Sequence, residues 1–349
     1  MQKKIKCLVW DLDNTLWEGT LAEDQRVTLK EGIPQILETL DQRGILLSIA
    51  SKNDPRDAMK KLEELGLSQY FIYPQINWNS KADSLQKIAQ ALNINLDTFA
   101  FIDDQAFERE EIHFQLPQVL CIDAENYAAL TDMPQLMPRF VTQDSRLRRQ
   151  MYQSDLKRKK EEEAFQGSSE AFLATLDMHL LIAPVKPGDL ERVEELTVRT
   201  NQLNSTGYTY DFEQLEGFIS SDSHIFLIAS LEDRLGTYGK IGLILLEESA
   251  DFVEIKLLLM SCRVMTRGIG SALLVHIIRL AHEKGKRLRA QFVDTGRNRV
   301  MYITYKLMGF AEADEEQEEQ EEGSVSILEY RGEALREYPD YLKVEVQEG

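Results

Sequence analysis

LVWDLDNTLWEG, residues 8–19, begins as an apolar run and reaches two aspartates, Asp11 and Asp13, one residue apart. An apolar run that stops at an acid is typical of a buried parallel strand whose carboxyl end faces a ligand site. Unpaired carboxylates are costly to bury, so two of them at one strand end indicate a chemical role. This stretch predicts the first strand of an α/β sheet, with an active site at its carboxyl edge.

The alternation of strands and helices continues to about residue 140. The apolar runs are CLVW (7–10), ILLSIA (45–50), YFIY (70–73), TFAFI (98–102) and QVLCI (118–122). Between them, apolar residues recur at helical spacing, and one such segment has Asp54 as N-cap, Pro55 in the first turn and Gly66 as the stop. Strands that alternate with helices in this way predict βαβ units and a parallel sheet.

Polar residues follow three further strands of this predicted sheet. Ser51 follows ILLSIA, Lys81 follows the segment after YFIY, and Asp103 and Asp104 follow TFAFI. Parallel strands place their carboxyl ends at one edge, so we expect these groups to converge. One carboxylate can attack phosphorus or an acyl carbon, and a second can act as general acid and then base. Clustered acids need a hard cation such as Mg²⁺, while the hydroxyl and the ammonium hold phosphoryl oxygens.

The ordered set DxDNT, Ser, Lys and DD resembles the haloacid dehalogenase (HAD) superfamily of phosphotransferases, which use an aspartate nucleophile. By this resemblance Asp11 is the nucleophile and Asp13 the general acid/base, while Ser51 and Lys81 hold the phosphoryl group. The resemblance also implies Mg²⁺ as cofactor, and its implied ligands are Asp11, Asp13, Asp103 and Asp104. For Asp104, a position behind the ligands is the alternative.

The spacing of these motifs leaves no room for a cap domain. Between Asp13 and Ser51 only a helix and a strand fit beyond a short flap, residues 14–30. We therefore expect an open site that relies on a macromolecular partner to exclude water. The expected substrate contacts on and beside the flap are Trp17, Glu18, Gly19 and Asn53. A helix-start role is the alternative for Asn53.

A second domain is predicted after a highly charged helical stretch. We assign residues 1–142 to the first domain, 143–171 to a helical connector and 172–349 to a mixed α/β domain. EIKLLLMSCRVMTRGIGSALLVHIIRLAHEKG, followed by NRVMYITYKLMGF, resembles the GNAT acyltransferase fold, in which a glycine-rich turn binds a pyrophosphate at a helix N-terminus.

The GNAT resemblance implies a cleft with Tyr305 at the usual position of the general acid. The residues assigned to this cleft are Asn201, Cys262, Arg263, Gly268, Gly270, Asn298 and Tyr305. Met265 departs from the usual Gln or Arg at its position, which weakens the case for acyl-CoA. Simple use of the two glycines in a tight turn is the alternative.

The pairing of HAD and GNAT segments resembles the FkbH-like family, HAD subclass IIIC, of the glyceryl-carrier-protein synthase type found in polyketide pathways. The matching stretches are WDLDNTLWEG, SKNDP, FIDDQAFERE, RTNQLNSTG, LMSCRV and YKLMGF. This implies transfer of a glyceryl unit from 1,3-bisphosphoglycerate to the phosphopantetheine thiol of an acyl carrier protein. Such carriers are acidic, and the candidate basic surface for one is Arg146, Arg148, Arg149, Lys157, Arg158, Lys159 and Lys160. A solvated helix is the alternative.

Ala50 departs from this family at an important position. Many members have cysteine there as the proposed acyl carrier, and a methyl group cannot form a thioester. Direct transfer to the carrier thiol, phosphate removal alone and transfer of another three-carbon unit remain open. Two competing hypotheses follow: a capless Mg²⁺-dependent phosphatase without acyl transfer, and a docking protein without catalysis.

Composition limits the partners and the compartment. The formal net charge is −19, from 40 Lys and Arg against 59 Asp and Glu, so the chain should repel nucleic acid and anionic membranes. No apolar run approaches the roughly 20 residues that span a bilayer. Cys7, Cys121 and Cys262 lie far apart, which argues against disulfides and fits a reducing cytosol. We predict a cytoplasmic protein.

Overall fold

A computed structural model of the chain describes residues 4–23, 27–320, 323–332 and 335–347, with only the backbone described for 314–320, 323 and 324. It contains two compact units, Met1–Leu156 and Lys157–Gly349, which we call the N-terminal and the C-terminal unit. The point of division lies within the stretch that we predicted as a connector. The boundaries at 142 and 172 themselves stay predictions.

The N-terminal unit is built on a parallel sheet. Its strands are β1 (Cys7–Trp10), β2 (Trp17–Glu18), β3 (Thr28–Leu29), β4 (Leu46–Ser51), β5 (Gln75–Ile76), β6 (Phe99–Asp103) and β7 (Leu120–Asp123). Five of them form one sheet in the order β5-β4-β1-β6-β7, and every neighbouring pair in it is parallel. The predicted α/β class is thereby confirmed for this unit.

Helices connect these strands and cover the sheet. They are α1 (Ile33–Gln42), α2 (Pro55–Glu64), α3 (Lys81–Leu92), α4 (Ala106–Gln115) and α5 (Gln143–Arg146), and they are followed by α6 (Arg148–Ala164), which contains the division between the two units. The central strand β1 is apolar throughout because both of its faces are buried. Leu8 and Trp10 join one core, and Cys7 and Val9 join the other. This two-sided burial explains why the opening run of the sequence does not alternate with polar residues.

The helix signals around α2 have the predicted roles. The Asp54 side chain accepts hydrogen bonds from the Arg56 and Asp57 amides, and Gly66 adopts a φ of 68° just beyond the helix. Of the predicted strand YFIY, only Phe71 pairs with the sheet, through a single parallel bridge to Leu47. A 3₁₀ turn ends at Tyr70, and the sheet strand begins only at Gln75. Pro74, which has no N–H for a ladder, separates the two and follows a residue of positive φ.

The arrangement without a large cap domain that we expected is seen in the described part of this unit. Among the described residues between β1 and α1, the sheet structure consists of the antiparallel ribbon of β2 and β3 and one isolated bridge from Asp13 to Trp17. Three residues alone, 52–54, separate β4 from α2. Within the described residues no cap domain is inserted at either point, and the flap that we predicted over 14–30 is described apart from residues 24–26.

The C-terminal unit is a mixed sheet with helices on both faces. Its strands are β8 (Met178–Pro184), β9 (His224–Asp233), β10 (Gly236–Glu248), β11 (Phe252–Met260), β12 (Arg287–Val293), β13 (Phe310–Gln320), β14 (Gly323–Tyr330) and β15 (Leu342–Val346). They are ordered β13-β14-β12-β11-β10-β9-β8-β15. The β11–β12 and β8–β15 pairs are parallel and the others are antiparallel, which confirms the predicted mixed α/β domain.

Two cores hold this second sheet. Its helices are α7 (Ser169–Thr175), α8 (Leu190–Arg199), α9 (Phe212–Ile219), α10 (Ile269–Glu283) and α11 (Arg299–Leu307). Along β10, Ile244 and Leu246 pack into the core under α10, while Leu243 and Leu245 pack into the core under α8 and α9. In the described ranges of both units, none of the helices has the length and apolar character needed to cross a membrane.

Candidate active site

The strand ends of the parallel sheet bring the predicted catalytic residues together. Asp11 follows β1, Ser51 ends β4, Asp103 ends β6, and Lys81 is the first residue of α3. The Lys81 ammonium donates to Asp11 Oδ1 at 2.8 Å and to Asp103 Oδ2 at 2.5 Å. All four residues are buried. Groups from four separate segments of the sequence therefore share one site.

The single ammonium of Lys81 pairs with two buried carboxylates, and the pKa values of all three groups are shifted as a result. Burial raises the pKa of Asp11 to about 7, an effect that Lys81 opposes and the charge of Asp103 adds to. Burial raises the pKa of Asp103 as well, again against the pull of Lys81. For Lys81, burial alone lowers the pKa, but the two carboxylates outweigh burial and raise it. The site thus holds one charged ammonium, and its two carboxylates could be neutralised further by an additional positive charge.

The carboxylates of the site can hold a divalent cation. Oxygen atoms of Asp11, Asp103 and Asp104 lie within 4.8 Å of one another. A set made only of oxygen donors fits Mg²⁺, which prefers such ligands. Thr15 fixes Asp104, because its hydroxyl oxygen accepts from the Asp104 amide at 3.0 Å. The carboxylate of Asp13, which we also predicted as a ligand, does not belong to this group.

Asp13 is instead hydrogen-bonded on both of its carboxylate oxygens. Oδ1 accepts from the Trp17 indole at 2.8 Å and from the Leu21 amide at 3.1 Å, and Oδ2 accepts from the Asn53 side chain at 2.9 Å. Asn53 does not start α2, since the neighbouring Asp54 caps that helix. Trp17 is fully buried, so its indole is committed to Asp13.

The flap begins with a tight loop that carries Trp17 back to Asp13. Asn14 has a positive φ of 54°, and its side-chain oxygen accepts from the Gly19 amide at 3.1 Å. The Asn14 amide in turn donates to the Gly19 carbonyl at 3.3 Å. The motif DNTLWEG is therefore a closed loop, with Glu18 exposed at its tip. Substrate contact by Trp17, Glu18 and Gly19 stays a prediction.

Three residues near the catalytic ones were given no role from the sequence. Lys52 pairs with Glu108 at 2.6 Å and so joins the end of β4 to α4. Arg109 donates to the Asp103 carbonyl at 2.8 Å and pairs with the Asp123 carboxylate. Glu108 and Arg109 lie in the quoted motif FIDDQAFERE, so their closeness to Asp103 in sequence was the available signal.

No cysteine of the N-terminal unit offers a reactive thiolate. Ala50 is fully buried within β4. Burial raises the pKa of the Cys7 thiol far above its usual range and that of Cys121 to about 11. A thiol at either position stays protonated at neutral pH and is a poor nucleophile. Acyl transfer through a cysteine of this unit is therefore disfavoured.

The residues predicted to line a cleft in the C-terminal unit differ in burial, from exposed to fully buried. Asn201 is exposed, Cys262 is half-buried, and Arg263 donates to the Tyr238 carbonyl at 2.6 Å. Gly268 precedes α10 with a φ of 74°, and Gly270 packs near Met260. Asn298 and Tyr305 are fully buried, and burial raises the pKa of the Tyr305 hydroxyl. The structure places these last two inside the core.

The predicted basic docking surface is smaller than its sequence suggested. Three of its cations are bound inside their own units: Arg148 donates to the Gly44 carbonyl at 3.0 Å, Arg149 pairs with Asp41 at 2.9 Å, and Arg158 pairs with Asp233 at 2.7 Å. Those that stay exposed are Arg146, Lys157, Lys159 and Lys160. The sequence of a helix with regularly spaced charges does not show which of its cations pair with groups of the same protein and which face solvent.

Comparisons with known proteins agree with the site in the N-terminal unit. Residues 19–108 match the family model of haloacid dehalogenase-like hydrolases. This range starts after Asp13 but contains Ser51, Lys81, Asp103 and Asp104. The N-terminal unit thus carries a HAD-like hydrolase domain. Among curated proteins, none matches the chain.

Solved structures of two kinds are similar to parts of the chain. One is the N-terminal part of the protein BF1531 from Bacteroides fragilis, which contains a phosphatase domain complexed with Mg. It is 30% identical, with 36% of this chain and 39% of that chain covered and a TM-score of 0.33. The ribosomal-protein-S18-alanine N-acetyltransferase from Escherichia coli is 16% identical, with 45% of this chain and 99% of that chain covered and a TM-score of 0.34. A GNAT-family acetyltransferase from Streptococcus pneumoniae is 22% identical, with 43% of this chain and 97% of that chain covered and a TM-score of 0.34.

Proposed function

We propose that the chain is a Mg²⁺-dependent HAD-type enzyme that dephosphorylates a phosphorylated three-carbon acid and passes the glyceryl unit to an acyl carrier protein. The substrate that we propose is 1,3-bisphosphoglycerate, and the acceptor is the phosphopantetheine thiol. The observation that carries the phosphatase part is the buried Lys81 ammonium between Asp11 and Asp103, with Asp104 beside them. The acyl transfer rests on the FkbH-like resemblance of the sequence.

The N-terminal site can perform phosphoryl transfer in two steps. A carboxylate oxygen of Asp11 attacks the phosphorus of the 3-phosphate ester, and the bond from this phosphorus to the C3 oxygen of the substrate breaks, which leaves the acyl phosphate at C1 intact. Asp13 protonates that leaving oxygen, then removes a proton from the water that cleaves the aspartyl phosphate. Ser51 and Lys81 hold the phosphoryl oxygens. Asp11, Asp103 and Asp104 would hold Mg²⁺, which offsets the charge of the phosphoryl group when bound.

The acyl step needs no cysteine of this enzyme. The carrier thiolate attacks the carboxyl carbon of the acyl phosphate, a thioester forms, and inorganic phosphate leaves. Ala50 and the protonated thiols of Cys7 and Cys121 support this direct route over an acyl-enzyme in the N-terminal unit. The lack of a cap domain among the described residues supports it too, because no inserted domain there separates the sheet edge from a carrier arm.

Intact-protein mass spectrometry of the carrier tests this function. Incubation of the enzyme with 1,3-bisphosphoglycerate, Mg²⁺ and cognate holo-carrier is expected to add one glyceryl group to the carrier. The added mass is expected to disappear with apo-carrier, which lacks the thiol, and the enzyme itself should gain no acyl group. A carrier of unchanged mass would refute the acyl transfer.

A plain Mg²⁺-dependent phosphatase is the second candidate, and the fully buried Ala50 in place of the family cysteine favours it. In that case phosphate is released at the same rate with and without carrier. A carrier that stays unmodified while phosphate accumulates would select this candidate over the first.

A further inference from the structure

Asp13 is the acid of the site that the flap holds in place. We propose that Trp17 and Asn53 are positioning residues that select Oδ2 of Asp13 as the atom that transfers protons. The proposal rests on the proposed phosphatase activity at Asp11. It starts from the three hydrogen bonds to Asp13, which reach Oδ1 from Trp17 and Leu21 and Oδ2 from Asn53.

The number of donors on each oxygen distinguishes the two oxygen atoms. A carboxylate oxygen has two lone pairs that accept hydrogen bonds. Oδ1 accepts two N–H groups, at 2.8 Å from Trp17 and 3.1 Å from Leu21, so its lone pairs are used. Oδ2 accepts one, at 2.9 Å from Asn53, and keeps a lone pair for a proton. Proton transfer through Oδ2 leaves all three hydrogen bonds intact.

The two donors are held firmly enough to position a carboxylate. Trp17 is fully buried and Asn53 is 2% exposed. Asn53 also lies 3.4 Å from the Ser51 hydroxyl, so the amide joins the acid to the residue that holds phosphate. Trp17 pairs with Leu29 in the β2–β3 ribbon, so the flap itself sets the orientation of Asp13. A packed side chain loses little entropy when it positions a group, which favours catalysis.

The proposed role is specific to the proton transfers. As the bond from phosphorus to the substrate oxygen breaks, that oxygen takes the proton from Oδ2 of Asp13. An alkoxide needs this proton, whereas a nitrophenolate is stable without it. In the second step Oδ2 takes a proton from the attacking water while the bond between Asp11 and phosphorus breaks. Loss of positioning should therefore slow the reaction of substrates with poor leaving groups, and it should slow the hydrolysis of the aspartyl phosphate in the second step.

Trp17→Phe removes the indole N–H and keeps a buried aromatic ring. We expect kcat/KM for an alkyl phosphate such as glycerol 3-phosphate to fall about 10- to 100-fold, a share of the gain from general acid catalysis. We expect the first-turnover burst of dinitrophenol from 2,4-dinitrophenyl phosphate to change less than about threefold. Asn53→Ala is expected to show the same selective loss on the alkyl phosphate. The test therefore needs only one of the two variants to fold.

Trp10→Phe is the matched control, because Trp10 is also fully buried and its indole nitrogen has no hydrogen-bond partner among the described residues. It should leave the ratio of the two activities unchanged. Equal losses on both substrates in Trp17→Phe and Asn53→Ala, or no loss on either, would overturn the positioning role. A wild-type enzyme that releases phosphate from neither substrate would instead refute the proposed function.

A second inference comes independently from the C-terminal unit, where the sheet opens between β11 and β12. The two strands pair only from Phe252–Ile255 to Arg287–Ala290, and beyond that the segment 203–205 lies between them. Three backbone hydrogen bonds join it to both strands: Ser205 N to Leu258 O at 2.9 Å, Met260 N to Leu203 O at 2.9 Å, and Val293 N to Ser205 O at 3.1 Å.

Buried side chains fix this segment in the opening. Asn298 donates to the carbonyls of Asn204 at 2.9 Å and of Val293 at 2.8 Å, and Asn204 and Ser205 are fully buried. At the glycine-rich turn, a Cβ added to Gly268 would lie 2.2 Å from the Tyr341 hydroxyl, so the chain itself covers that glycine. We infer that this unit does not bind coenzyme A in its GNAT-like cleft.

Titration of the full chain with coenzyme A and acetyl-coenzyme A tests the second inference. Calorimetry is expected to show no saturable binding, and the melting temperature is expected to stay constant up to a millimolar concentration of either compound. A dissociation constant below about 0.1 mM would overturn the inference, since it would correspond to a binding free energy of more than about 5 kcal/mol.

Discussion

Replacement of Asp11 with asparagine is expected to abolish phosphate release, with a fall in kcat of at least about 10⁴-fold, as when an enzyme loses its nucleophile. The amide cannot form an aspartyl phosphate, yet its oxygen can still accept the hydrogen bond that Lys81 gives to Asp11 at 2.8 Å. We therefore expect the variant to fold. Continuous assay of inorganic phosphate, with melting curves of both proteins, measures the two effects separately.

Asp83→Asn is the matched control for this substitution. Asp83 lies in the first turn of α3, two residues from Lys81, but its side chain is exposed. The change should leave phosphate release within about twofold of the wild type. If Asp11→Asn kept most of the activity, the nucleophile would have to be another group. A wild-type protein with no activity on any phosphate ester would support the docking hypothesis instead.

The convergence of the acids was predictable because it follows from topology. Once CLVW and TFAFI are assigned to neighbouring parallel strands, Asp11 and Asp103 must lie at the same edge. What could not be predicted was which donors hold Asp13. Trp17 reaches it only because Asn14 and Gly19 close a loop through one particular pair of hydrogen bonds. Such a loop has no periodic pattern in the sequence.

In the C-terminal unit, a sequence motif predicted the fold but not the structure of the cleft. The pattern around Tyr305 and Asn298 indicated an acyltransferase cleft, and the mixed sheet it predicted is present. The pattern does not encode the nonlocal backbone bonds that place Ser205 between two strands. Any residue except proline can supply a backbone N–H, so composition gives no signal for such a contact. A motif can therefore indicate a fold correctly and still leave its cleft undetermined.

Lys81→Met is expected to destabilise the protein by about 3–5 kcal/mol at pH 8, because removal of one partner leaves buried charges without compensation. The methionine keeps the length and the packing of the side chain, so the loss reports the charge. In the wild type, Lys81 contacts Asp11 at 2.8 Å and Asp103 at 2.5 Å, and all three side chains are at most 5% exposed. Denaturant unfolding of the metal-free protein measures this difference.

The pH dependence of this loss identifies its cause. The folded pKa values of Asp11 and Asp103 are raised above their ordinary values, to about 7 for Asp11, and they should rise further without the ammonium. A raised folded pKa gives stability at low pH that is lost as pH rises through it. The difference between variant and wild type should therefore be small near pH 5 and largest at pH 8. Mg²⁺ should reduce it at pH 8 by supplying positive charge.

Lys87→Met, an exposed lysine later in α3, is the control and should change stability by less than about 0.5 kcal/mol. A loss in Lys81→Met that is equal at pH 5 and pH 8 would contradict the raised pKa values, because it would mean that the two carboxylates keep one protonation state at both pH values. If that state were neutral, Asp11 could not act as a nucleophile, since only the ionised carboxylate attacks phosphorus.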